Sequence, residues 1–154
     1  MLGKFDELNV EKQLEMIQLN ISALTELTHA FLPEMKKRKS GKIMNVASTA
    51  AFQPGPMMAV YYATKAYVLS FSEALVEELM GTGVSVTTLC PGATKTNFGS
   101  VANVEKTKMF SKAMDASTVA SLGYIGMQKG KRVVITGSTN KVGAAAAKFL
   151  PRST

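Results

Sequence analysis

The chain has 154 residues, 46% of them hydrophobic and 19% charged, ordinary proportions for a globular protein and enough for one domain with a real core. No run approaches the ~18 consecutive apolar residues of a membrane span, the opening Met1-Leu2-Gly3-Lys4-Phe5 lacks the apolar core of a secretory signal, and a single cysteine, Cys90, excludes an intrachain disulfide, so a soluble, cytoplasmic protein is expected. The net charge of +7 gathers in Lys36-Lys37-Arg38-Lys39 and in Lys129 to Arg132; both runs follow helical patterns, where cations favour a helix C-terminus, and they are read as solvated helix ends, not as a nucleic-acid surface.

In chain order, Asn9 to Met35 predicts a long amphipathic helix. Val10, Leu14, Ile17, Ile21, Leu24, Phe31 and Met35 recur at steps of three and four, with Thr28 as the exception. Asn9 is its expected N-cap, and Pro33 is expected to bend or loosen the last turn. Asn20 sits mid-helix, where asparagine is a mediocre helix former. His29, the only histidine, reads as a surface or core-edge residue with no metal partner in the sequence. After Ser40-Gly41, Lys42 to Ala47 predicts a short strand ending at Ser48. Gln53-Pro54-Gly55-Pro56 is a loop by its turn chemistry, and Met57 and Met58 suit a substrate pocket or the core equally well.

Tyr61 to Met80 predicts a second helix, with Ala63, Tyr67, Val68, Phe71, Leu75 and Leu79 as its buried stripe and Gly81-Thr82-Gly83 as its stop. Val84 to Leu89 predicts a strand, and Cys90-Pro91-Gly92-Ala93-Thr94-Lys95-Thr96 follows at its carboxyl end, where open α/β sheets bind ligands. Cys90 has no basic or histidine neighbour in sequence and reads as a buried spacer, not a nucleophile. Gly99 to Asp115 lacks a clear period. Ser117 is expected to cap a helix running to Gln128, and Lys131 to Thr136 predicts a third strand. Strands alternating with helices predict the α/β class: a Rossmann-like parallel sheet fragment of about three strands with flanking helices.

The chemistry concentrates between Ser48 and Lys65. Tyr61 and Lys65, four apart, share one helix face. A nearby cation favours an ionised phenol, which makes Tyr61 an expected acid or base near neutral pH. Ser48, at the end of the strand, is placed to hydrogen-bond the oxygen that gains or loses the proton. Tyr62 is one position off the lysine spacing and points about 100° around the helix.

Ser48, the Tyr61-x-x-x-Lys65 motif thirteen residues later, Cys90-Pro91-Gly92 and Asn20 in Met16-Ile17-Gln18-Leu19-Asn20-Ile21 together resemble the short-chain dehydrogenase/reductase family. The resemblance runs from about Gly3 to about Gly137 and is expected to cover the C-terminal, catalytic half of that fold, with 138–154 as a helical tail. It implies an NAD- or NADP-dependent oxidoreductase moving a hydride between the nicotinamide and an alcohol or carbonyl. It implies Tyr61 as general acid/base, Lys65 as the residue that lowers its pKa and contacts the nicotinamide ribose, Ser48 as the group that polarises the carbonyl oxygen, and Asn20 as support for the proton relay. It implies Pro91, Gly92, Thr94 and Thr96 at the nicotinamide, a variable segment over the substrate at Gly99 to Asp115, and a homo-oligomer paired through the 9–35 and 61–80 helices.

One stretch and one gap stand apart from this. Val134-Ile135-Thr136-Gly137-Ser138-Thr139-Asn140-Lys141-Val142-Gly143 resembles a nucleotide-binding glycine loop, but Lys141 stands where that loop needs glycine, and the stretch reads as the last strand and its turn. Nothing ahead of Met1 supplies the family's own phosphate loop, so the chain by itself is expected to be inactive. A non-catalytic remnant acting as an interaction module is the alternative of a different class. A basic nucleic-acid binder is a weaker third reading.

Overall fold

The computed structural model describes residues 2–102, 110 and 113–149. A helical rod opens it: α1 (Val10–Ile17), a π-helical stretch (Gln18–Ala23) and α2 (Leu24–Lys37) follow one another without a break. Asn9 caps the rod as expected, its Oδ1 accepting the Lys12 N–H at 2.8 Å. Pro33 does not end the helix, which continues to Lys37. The chain then turns through Lys39, in the left-handed region at φ 52°, into β1 (Gly41–Val46). A 3-10 turn (Thr49–Phe52) leads to α3 (Ala59–Glu78), β2 (Val84–Cys90) and β3 (Thr94–Lys95). The short α4 (Phe98–Val101), β4 (Met114–Asp115), α5 (Ala116–Gln128), β5 (Val133–Ile135) and α6 (Ser138–Phe149) complete it.

The main sheet is three-stranded and parallel in the order β1-β2-β5. Gly41 pairs with Val84 and Val46 with Leu89, while Thr88 pairs with Val133 and Cys90 with Ile135. The pleat sends alternate residues to opposite faces. Val84, Val86 and Cys90 of β2 and Ile43 of β1 meet Val68 and Leu75 of α3 and Leu79 just after it, with Leu24, Leu32 and Met35 of α2 alongside. Leu89 and Met44 point the other way, towards α5, where Gly123 lets the helix lie close; a Cβ there would meet Leu89 Cδ2 at 2.7 Å. Helices thus cover both faces of the sheet, the three-layer α/β arrangement expected. A two-stranded parallel pair, β3 with β4, was not foreseen.

Several boundaries move. α3 begins at Ala59, two residues ahead of Tyr61. α5 is capped at Asp115, not Ser117, and Asp115 makes no side-chain cap bond. The tail helix is not merely appended: α6 packs on the Thr49–Phe52 turn, and Ala144 is buried there. Most of the Gly99 to Asp115 segment lies outside the described residues. The cationic runs sit at the ends of α2 and α5, exposed as expected, and His29 is exposed. Among the described residues no helix is long and apolar enough to cross a membrane.

Candidate active site

Because the strands are parallel, Val46, Cys90 and Ile135 finish at one end of the sheet. A cavity of about 850 Å³ opens there, and its walls include Asn20, Ser48, Tyr61, Lys65, Pro91, Gly92, Thr94 and Thr96. Every site residue expected from the sequence therefore borders one space. Met16, Leu19, Met58, Val101 and Ala102 add an apolar wall. Of the two methionines left open, Met58 is buried beside Tyr61 and Tyr62, while Met57 is exposed.

Ser48 is positioned by the exit of β1. Its backbone is extended, and its hydroxyl accepts the Ala50 N–H at 3.1 Å and donates to the Pro91 carbonyl at 3.4 Å. The same carbonyl accepts the Thr49 N–H at 2.9 Å, which ties the ends of β1 and β2 together. In the following loop the Thr94 hydroxyl donates to the Gly92 carbonyl at 3.0 Å, and the Thr96 hydroxyl accepts the Phe98 N–H at 3.2 Å.

Tyr61 and Lys65 lie one turn apart on α3 and face the cavity. The Tyr61 ring sits 5.1 Å from that of Phe98, and Tyr62 meets it edge-on at 6.0 Å. Tyr62 packs over Gly55, where a Cβ would collide with its ring.

One electrostatic expectation is corrected. Burial raises the Tyr61 pKa above its ordinary value; the Ser48 side chain pulls it down and Tyr62 pushes it up. Lys65 does not lower it here. Its ammonium donates to the Val46 carbonyl at 3.0 Å and lies 5.9 Å from the centre of the Tyr61 ring. Desolvation of the phenolate outweighs a cation that is turned to the strand end. Burial also lowers the Lys65 pKa, against an opposing pull from Cys90. The Cys90 thiol is fully buried and pushed up to about 12, by burial first and then by Glu73, with Ser48 and Lys65 opposing. It is a spacer, as read from the sequence.

Asn20 falls in the π-helical stretch, where the ladder widens to i→i+5. Its Nδ2 donates to the Thr64 hydroxyl at 3.1 Å, and that hydroxyl donates to the Tyr61 carbonyl at 2.8 Å. The sequence reading missed Thr64. The signal available was a hydroxyl three residues after Tyr61, at the spacing from which Ser and Thr back-bond within a helix.

A profile described as short chain dehydrogenase matches residues 1–107. The chain belongs to the short-chain dehydrogenase family. The match starts at the first residue and stops short of Gly137, and it does not support reading the chain as only the C-terminal half of the family's fold. An uncharacterized oxidoreductase of Staphylococcus epidermidis is 41% identical over 94 residues, covering 61% of this chain and 41% of the relative. A short-chain dehydrogenase from Sphingobium yanoikuyae, solved in complex with NADPH, superposes with a TM-score of 0.79 at 27% identity, covering 97% of this chain and 59% of that one. A short chain dehydrogenase/reductase from Burkholderia phymatum, solved with NAD, gives a TM-score of 0.81 at 20% identity, covering 94% and 60%. The chain thus spans about two fifths of that curated relative's length and about three fifths of these solved ones.

The donor set of the cavity fits the nicotinamide riboside end of such a dinucleotide. The Lys65 ammonium, the Thr94 and Thr96 hydroxyls and the Pro91–Gly92 backbone border the same space.

Proposed function

We propose that this chain carries the hydride-transfer site of an NAD- or NADP-dependent oxidoreductase acting on an alcohol or its carbonyl partner. The observation that carries the reading is the convergence of Ser48, Tyr61, Lys65 and the Pro91–Gly92 loop on one cavity at the carboxyl end of a parallel sheet. The bound nicotinamide supplies or accepts the hydride. The protein's part is the proton and the geometry. A phenol whose pKa is raised stays protonated at neutral pH, the form that donates a proton to a carbonyl oxygen during reduction. The Ser48 hydroxyl, beside that phenol, donates to the same substrate oxygen and stabilises the charge that develops on it. Lys65, released from the Val46 carbonyl, holds the nicotinamide ribose and favours the phenolate left after transfer. Asn20, through Thr64, fixes the backbone of Tyr61. Pro91, Gly92, Thr94 and Thr96 hold the ring. The exposed apolar side of the α1–α2 rod and the outer side of α3 pair with a second copy of the chain.

The deciding experiment compares turnover of Tyr61→Phe, Tyr62→Phe and Lys65→Met in the protein form that oxidises or reduces NAD(P)(H). Tyr61→Phe keeps the ring and deletes the mobile proton, so turnover falls by roughly 10²–10⁴-fold, the usual share of a general acid/base. Lys65→Met is also severe. Tyr62→Phe is mild, because its ring packs over Gly55. A crippled Tyr62→Phe beside an active Tyr61→Phe overturns the assignment.

A further inference from the structure

The stretch Thr136 to Gly143, which resembles a phosphate-cradling loop, is built for something else. Gly137 turns the chain at φ 85° out of β5 and into α6. One turn into that helix, the Asn140 side chain folds back, and its Nδ2 donates to the Thr136 carbonyl at 2.7 Å. This pins the carboxamide between two glycines. A Cβ added to Gly92 would overlap its Nδ2 and lie 2.9 Å from Cγ and 3.0 Å from Oδ1. A Cβ added to Gly137 would lie 3.1 Å from Nδ2. Ala144, one turn further along the same face of α6, is buried, and the helix packs on the Thr49–Phe52 turn that follows Ser48.

We propose that Asn140 is a positioning residue for the Pro91–Gly92 loop: its pinned carboxamide is the wall that sets Gly92, and through the Pro91 carbonyl it sets the Ser48 hydroxyl. The proposal rests on the reading of that loop as the nicotinamide contact. The loop is clamped from two sides. On one, the Thr49 N–H and the Ser48 hydroxyl hold the Pro91 carbonyl. On the other, Asn140 closes the space behind Gly92. A flexible side chain would yield to a neighbour, but one hydrogen-bonded at 2.7 Å yields less readily. The only residue that fits opposite it is glycine. The tail helix is in this sense a brace for the cofactor loop, and the glycine-loop likeness reflects a strand–turn–helix with a close backbone approach and no phosphate.

The test is segment-resolved amide hydrogen exchange on the full chain, combined with a double-mutant cycle. In Asn140→Ala, which removes the wall behind Gly92, the amides of Gly92, Ala93 and Thr94 exchange about five- to tenfold faster because the loop opens locally more often, while those of Ile43 to Val46 are unchanged. Asn140→Asp, which keeps the shape but loses the N–H, loosens the same segment if Asn140→Ala proves hard to fold. Gly92→Ala lowers the melting temperature of the native chain, and most of that loss disappears in the Asn140→Ala background, where the added methyl has room. Where NADPH turnover is followed, Asn140→Ala raises KM for the cofactor more than it lowers kcat. Unchanged exchange at Gly92 to Thr94, or an equal cost of Gly92→Ala in both backgrounds, overturns the proposal. Exchange and coupling as expected, with no nicotinamide turnover in any form, leaves the brace standing and sinks the functional reading instead.

Discussion

Thr64 joins two of the proposed catalytic residues. It is 1% exposed, takes a hydrogen bond from Asn20 and gives one to the Tyr61 carbonyl. Thr64→Val keeps the shape and strands the Asn20 amide without its acceptor, so it costs about 1–3 kcal/mol, read as a shift of the urea midpoint; a shift under a few tenths of a kcal/mol contradicts the link. Cys90 makes a pH prediction. Its folded pKa lies above the unfolded value, so the native thiol keeps a proton that the unfolded chain releases. The stabilisation is complete below about pH 9 and is lost as pH rises towards 12, at up to about 1.4 kcal/mol per pH unit. Tyr61 acts in the same sense above pH 10, and the lowered pKa of Lys65 acts in the opposite sense. Comparing Cys90→Ala with the native chain cancels the Tyr61 contribution and leaves in the Lys65 contribution only the part that Cys90 itself exerts. The variant declines less steeply between pH 9 and 11 in chemical denaturation, and parallel curves refute the assignment.

At the scale of elements, the α1–α2 rod departs most from its sequence pattern. The apolar stripe was expected to face the core, yet Val10, Leu14 and Phe31 are 54%, 58% and 61% exposed, and Leu27 is 59% exposed. The inward face instead runs through Gln13, Asn20, Leu24, Thr28, Leu32 and Met35. Gln13 and Thr28 are buried, Asn20 bonds α3, and the other three pack on the core. Polar residues on the inward side and apolar ones outside defeat a hydrophobicity count, and the π-helical stretch shifts the phase between α1 and α2. The strands, by contrast, were legible to within a residue or two at most ends, because alternating or continuous β-branched runs between glycines leave little choice. That Tyr61 and Lys65 border one cavity was legible because their spacing is local and they share a helix face. Thr64 and Asn140 were not, because their roles depend on partners 44 and 48 residues away in sequence. The outward stripe is an interaction surface in the proposed pairing of two copies. Leu14→Lys together with Phe31→Glu is expected to weaken self-association at least tenfold, since central apolar anchors carry most of an interface's energy. Sedimentation showing the same association in the variant and the native chain removes this face from the interface.

For the whole molecule, the sheet edge and the proposed cofactor site are linked through one lysine. Among the described residues β1 pairs only with β2, so its outer edge presents free backbone donors and acceptors. Val46, at the end of that strand, is 47% exposed, and its carbonyl holds the Lys65 ammonium. The same lysine is needed at the ribose in the proposed chemistry. The chain spans 59% of the solved relative that holds NADPH, so part of that relative's length has no counterpart here. Binding energy from parts of a ligand remote from the reacting centre normally fixes the reacting ring, and a misplacement of about 1 Å costs about 10²-fold in rate. Residues 1–154 alone are therefore expected to turn over NAD(P)H at least about 10²-fold more slowly than the same residues joined to a partner strand for β1. In the joined form, the Lys42, Met44 and Val46 amides, which face away from β2, gain protection and Lys65 leaves Val46. The checks are turnover at saturating cofactor and amide exchange along β1, measured on both forms. Equal turnover in the two forms shows that residues 1–154 suffice and that the Lys65–Val46 contact does not restrain the site.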